Sequence, residues 1–226
     1  MEGLAARIAT LQRRIAVACE RAGRNPEGVE LLPVSKRQPV ALLREAMDLG
    51  FTRFGENYVQ EGTRKAQALP GAAFVLIGPL QRNKARPALE NFREIMTLDR
   101  PELGGRILSL AEELALVRPL WIQVDLWQEA TKVGGCSPEG ILPVLQSLSA
   151  DPRTPLVGFM AIPPPDRPEA FAQLGALRRE WEQRLGRPLK LSMGMSGDLE
   201  EAIRWGSDQV RVGTAFFGER PGPLGA

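Results

Sequence analysis

Histidine is absent from all 226 residues. That absence removes the Ser-His and Cys-His nucleophile pairs, the histidine metal sites and the commonest acid/base group together. Any chemistry must draw on lysine, carboxylate, hydroxyl or a borrowed cofactor. Lysine is itself scarce, with Lys36, Lys65, Lys84, Lys132 and Lys190 the whole set. The two cysteines, Cys19 and Cys136, are too few and too far apart for a disulfide framework or a zinc site, and are expected as packing or surface thiols. Neither sign of charge dominates: 29 basic against 27 acidic residues leave a formal +2, no field that argues for nucleic acid or membrane. No apolar run approaches the roughly 20 residues that span a bilayer, and the Met1-Glu2-Gly3 start shows no basic then apolar leader. A cytoplasmic protein is expected.

What is present suits one large α/β domain over residues 1–226, since a 43% apolar chain of this length buries a full core. Leu4, Ile8, Leu11, Ile15 and Cys19 recur at helical spacing, which predicts an N-terminal brace ending near Gly23. Strands are then expected at Glu30–Val34, Thr52–Gly55, Ala73–Ile77, Glu94–Leu98, Pro119–Leu126, Pro155–Met160, Leu189–Ser192 and Asp208–Val212. Helical segments alternate with them: Pro39–Leu49, Asn57–Leu69, Gln81–Asn91 with a break or kink at Pro87, Pro101–Val117, a helix opened by Ser137 and Pro138, Pro168–Leu185 and Asp198–Trp205. Ala130–Gly135 reads as a loop, Pro163-Pro164-Pro165 as an extended linker, and the tail beyond Gly218 as frayed. Eight strands alternating with helices predict a (β/α)8 TIM-type barrel with an extra N-terminal helix, the alternative being an open doubly wound sheet.

In that barrel Lys36 ends the first strand and sits at its C-terminal mouth, where such folds place their chemistry. The loop Ser192–Asp198 sets two glycines and two serines before a helix, and Gly213-Thr214-Ala215 follows the last strand directly. Barrels often build a phosphate site from the loops after strands seven and eight, so these two stretches are a candidate cradle. Arg211, on the eighth strand, is either paired in the interior or aimed at a ligand. Closure sets strand eight beside strand one, so lysine, cradle and arginine would share one mouth. Together they meet the needs of pyridoxal 5′-phosphate: an amine for the aldehyde, a seat for the phosphate and a guanidinium for the ring nitrogen.

Six motifs in order then carry a resemblance. Val34-Ser35-Lys36, Phe54-Gly55-Glu56-Asn57-Tyr58, Ile77-Gly78-Pro79-Leu80-Gln81 with Asn83-Lys84, Met160-Ala161-Ile162-Pro163, Leu191 to Asp198 and Val210 to Gly218 resemble the YggS/PROSC family of pyridoxal phosphate homeostasis proteins, related in fold to the N-terminal barrel of alanine racemases. The resemblance implies that Lys36 holds the cofactor as an internal aldimine, that Arg211 contacts the pyridine nitrogen, that Ser196, Gly197, Gly213 and Thr214 bind the phosphate, and that Asn57 lies near the cofactor. Two positions depart from the family pattern, Val75 where a histidine is common and Asp125 where an asparagine is.

Two readings of function follow. One is a pyridoxal phosphate carrier acting in intracellular homeostasis, a monomer that hands the cofactor to apo-enzymes, with no metal and no catalytic residue of its own. The other is a racemase or related enzyme using Lys36 on one face and Tyr58 or Lys132 opposite. Alanine racemases carry a further β domain and a tyrosine from a second subunit, so the sequence argues for the carrier. Arg64, Lys65, Arg82, Lys84 and Arg86 read as solvated helix faces, and Trp121 and Trp127 as packing.

Overall fold

The computed structural model describes residues 3–127, 134–164, 167 and 169–219. Lys132, Pro165, Pro168, the Met1-Glu2 start and the tail from Arg220 lie outside them. Eight parallel strands alternate with helices in the expected order: α1 (Leu4–Arg21), β1 (Glu30–Pro33), α2 (Val40–Asp48), β2 (Arg53–Glu56), α3 (Val59–Ala68), β3 (Ala73–Leu76), α4 (Ala85–Asn91), β4 (Glu94–Leu98), α5 (Pro101–Glu113), β5 (Leu120–Val124), α6 (Ile141–Gln146), β6 (Leu156–Ala161), α7 (Glu169–Leu185), β7 (Lys190–Ser192), α8 (Leu199–Arg204), β8 (Gln209–Val212) and α9 (Thr214–Phe217).

The strands form one sheet in the order β1-β8-β7-β6-β5-β4-β3-β2. Leu32 pairs with Arg211 across β1 and β8, so the first strand lies beside the last. β1 meets β2 through one bridge, Val34 to Gly55, which nearly closes the sheet into a (β/α)8 barrel and rules out the doubly wound alternative. Inside, Leu32, Val75, Met96, Trp121 and Met160 pack as an apolar plug. Val75 is therefore barrel filling, entirely buried.

The N-terminal end of the barrel is polar. Glu30, Arg53, Glu94 and Gln209 each open a strand. Arg53 bridges Glu30 and Glu94, Trp121 Nε1 donates to Glu94, and Gln209 Nε2 donates to Glu30 Oε2 at 2.8 Å. Each buried polar group meets a partner, as low dielectric demands, and this end carries stability while the other stays open.

α1 buries Leu4, Ile8, Leu11, Ile15 and Cys19, the face that the spacing predicts. Its polar side is a brace: Arg7 donates to the carbonyls of Phe216 and Phe217 at 3.0 and 3.1 Å, and Arg14 donates to the Ser196 carbonyl at 2.9 Å while pairing with both Glu200 oxygens. One helix thus holds the segments after β7 and after β8. Both cysteines are buried and free, and burial pushes the Cys136 thiol up to about 12.

Three local expectations need correction. α5 stops at Glu113 because Ala115 takes a left-handed conformation (φ 51°), and Leu116 N–H returns to the Ala111 carbonyl at 2.9 Å. Pro87 makes no mid-helix break. A 3-10 turn over Arg82–Lys84 precedes α4, and Pro87 is the third residue of that helix, where an N–H has no intrahelical partner to lose. The stretch Gly213-Thr214-Ala215, expected as a loop after the last strand, instead opens a short helix, α9, at Thr214.

Candidate functional site

At the C-terminal mouth, seven residues expected to work together line one cavity of about 280 Å³: Lys36, Asn57, Ser196, Gly197, Arg211, Gly213 and Thr214. Val34, Ile77, Ile162 and Met195 complete the wall. Those four were not anticipated individually, although each falls inside or beside a motif. A second cavity of about 470 Å³ adjoins through Asn57 and is lined by Tyr58, Gln81, Lys84, Asp99 and Arg100 among others. Tyr58, 48% exposed, faces this neighbour and does not line the cavity of Lys36.

Lys36 leaves the barrel just past β1, after Val34 N–H donates to the Val212 carbonyl (2.8 Å) and Ser35 N–H to the Gly55 carbonyl (2.9 Å). Both neighbouring strands therefore anchor the residues that precede it. The lysine is half-buried and lines the cavity beside the apolar Val34 and Ile77.

Arg211 is buried on β8. Its guanidinium donates to Ser192 Oγ and to the Ala161 carbonyl, each at 2.7 Å. Ser192 Oγ in turn donates to Gln209 Oε1 at 2.8 Å, so the polar chain of the barrel floor reaches the mouth. Burial pushes Arg211 down to about 10, with Asp198 opposing, and at neutral pH it remains a cation. No carboxylate pairs with it among the described residues. A desolvated cation beside a cavity, held by neutral acceptors, is a site prepared for an acceptor atom of a ligand.

The two loops divide their glycines by task. Gly194 has φ 94°, and a Cβ there would fall 2.5 Å from the Ala202 Cβ, so the fold itself requires it. A Cβ on Gly197 would meet nothing, and one on Gly213 would make ordinary contact with Val34. Packing does not require glycine at these two positions, and both line the cavity. The N–H groups of Ser196 and Gly197 donate to no backbone carbonyl among the described residues. Asp198 shapes the turn by accepting from Met195 N–H at 2.5 Å. Asn57 Oδ1 is buried without a hydrogen-bond partner, and such an atom asks for a donor from whatever fills the cavity.

Residues 7–221 match the family model described as alanine racemase, N-terminal domain. The pyridoxal phosphate homeostasis protein of Pseudomonas aeruginosa is 40% identical over 97% of each chain. The chain belongs to the pyridoxal phosphate homeostasis protein family. Its solved relatives include PipY of Synechococcus elongatus PCC7942, with PLP bound, at 34% identity and TM-score 0.83, covering 96% of this chain and 100% of that one. Alanine racemase of Clostridium difficile shares the fold at 13% identity and TM-score 0.74, and the match spans 94% of this chain but 57% of that enzyme.

One expectation about this family member's basic residues fails. Lys65 is not on a solvated face. It is 5% exposed, with Nζ donating to the Ser35 carbonyl and to Glu56 Oε1, each at 2.6 Å, and to Glu61 Oε1 at 2.7 Å. The signal was in the sequence: Val59, Gly62 and Lys65 share one helix face, and that face is buried.

Proposed function

We propose that the chain is one pyridoxal 5′-phosphate-binding domain that acts in intracellular homeostasis of that cofactor, as a cytoplasmic, monomeric carrier for apo-enzymes. Lys36 would hold the cofactor through a Schiff base, Arg211 would face the pyridine nitrogen, Ser196, Gly197, Gly213 and Thr214 would seat the phosphate, and Asn57 would border the ring. The observation that carries this reading is that all seven line one cavity, four of them from the segments after β7 and after β8 that α1 braces. The residues suit the group: the cavity offers a lysine amine, a cation without a carboxylate, loop glycines with open space and an orphaned buried amide oxygen.

Bound there, the cofactor would supply an aldehyde that captures amines. Arg211 sets how far that chemistry can go. A guanidinium donates and does not accept, so the ring nitrogen facing it stays unprotonated and draws electrons weakly. Racemization needs a base on each face of the bound substrate. Lys36 and Arg211 are the ionisable groups among the described residues that line the cavity, and Tyr58 lines its neighbour. These features favour holding the cofactor over transforming a substrate with it.

The purified protein is expected to be yellow, absorbing near ~420 nm. Lys36→Ala should lose that band on dialysis while keeping its circular dichroism spectrum. A dialysis-resistant band in the variant would move the attachment to another lysine.

A further inference from the structure

A single ionic cluster, buried at Glu56 and Lys65 and more open at Glu61, grips both peptide units that flank Lys36. The Ser35 carbonyl, part of the peptide joining Ser35 to Lys36, accepts from Lys65 Nζ at 2.6 Å. The Arg37 N–H, part of the peptide joining Lys36 to Arg37, donates to Glu61 Oε1 at 2.6 Å. Lys65 Nζ ties the two grips together, since it also donates to Glu61 Oε1 and to Glu56 Oε1. Glu56 Oε1 accepts from Ser35 Oγ at 2.6 Å as well. Glu56 and Ser35 are entirely buried. Burial pushes the Glu56 carboxyl up, and Lys65 and Ser35 oppose that shift.

The cluster lies at a thinly paired seam of the barrel, and only the β7–β8 seam, paired through Ser192 and Gln209, is as sparse among the described residues. β1 and β2 share the bridge from Val34 to Gly55. Just beyond it Arg37 adopts φ 58°. A residue with a Cβ holds that conformation when its surroundings impose it, and Glu61 on its N–H, with Gln38 N–H on the Ser35 carbonyl at 3.0 Å, imposes it here.

Peptide units are planar, so a residue's two soft dihedrals are set once the planes on either side of it are fixed. The direction of its Cα–Cβ bond is then fixed too. We propose that Glu56, Glu61 and Lys65 are positioning residues for Lys36: α3 and the end of β2 lock both flanking peptides and thereby aim the lysine amine into the cavity. This rests on the reading that Lys36 captures the cofactor's aldehyde.

A cluster that merely closed the seam would affect every ligand of the cavity alike, and two ligands separate the cases. Pyridoxine 5′-phosphate has the ring and phosphate of pyridoxal 5′-phosphate but an alcohol in place of the aldehyde, so it cannot join a lysine. Glu61→Ala removes the Arg37 grip while Lys65 keeps Glu56 and the Ser35 carbonyl, so the variant is expected to keep the wild-type circular dichroism spectrum. Its affinity for pyridoxal 5′-phosphate should fall about tenfold, the scale of one hydrogen bond to a charged group, with pyridoxine 5′-phosphate bound as in the wild type. Glu61→Gln, which keeps an oxygen acceptor for Arg37 N–H, should restore most of the loss. Equal loss for both ligands, or loss for neither, overturns the proposal. A wild-type protein that holds both ligands equally and shows no band near ~420 nm instead sinks the reading of Lys36, and the proposal with it.

Discussion

Lys65→Met is expected to cost the fold about 3–5 kcal/mol, a large part of the 5–15 kcal/mol a domain of this kind holds. The loss comes from what stays behind. Glu56, fully buried, would keep its hydrogen bond from Ser35 Oγ and lose the ammonium that offsets its charge, with its second oxygen already unpartnered. The Ser35 carbonyl would lose its charged donor at the same time and keep the Gln38 N–H. Urea denaturation should show a lower midpoint with little change in slope. Adding Glu56→Leu should recover much of the stability, because an apolar pair can replace a buried ion pair at little net cost. It should not recover the grip on the Ser35 carbonyl, so stability and cofactor capture separate in the double variant. A midpoint unchanged in Lys65→Met would mean that the lysine is solvated after all.

Gly78→Ala is the second large effect. A Cβ at Gly78 would lie 2.1 Å from the Asn57 carbonyl oxygen and 2.6 Å from its Cα, backbone atoms that cannot rotate aside. The end of β3 must then part from the segment after β2, which strains the Ile77 N–H bond to the Glu56 carbonyl (2.9 Å) and the Thr97 Oγ1 bond to the Gly78 carbonyl (2.9 Å). Overpacking of this kind costs about 1–3 kcal/mol, and the displaced residue is Asn57, the shared wall of both cavities. Stability and affinity for pyridoxal 5′-phosphate should fall together. Gly197→Ala is the contrast, since its Cβ meets nothing: melting temperature should hold while affinity falls. A Gly78→Ala variant as stable as the wild type would show that β3 and Asn57 are not in this close approach.

Much of the fold was legible because its elements follow strong local rules. β4 matches its expected bounds residue for residue, all five positions being buried, and α1 buries the predicted face. The end of α5 was not legible, because an alanine does there what a glycine usually announces. The site was legible as a set, since closure of the barrel brings β1 beside β8 and with it Lys36 beside Arg211 and both loops. Its support was only faintly legible: the spacing of Val59, Gly62 and Lys65 puts them on one helix face, and what shows that face to be packed, the Phe92 ring that a Cβ on Gly62 would strike at 2.2 Å, lies far off in sequence.

Borohydride reduction of the cofactor-loaded protein, followed by digestion and mass spectrometry, tests the central claim most directly, because reduction fixes the cofactor to the lysine that holds it. Five lysines compete for the label. The mass increment is expected on the peptide carrying Lys36 and absent in Lys36→Ala. A label on Lys84 or Lys132, or on no lysine, would contradict it.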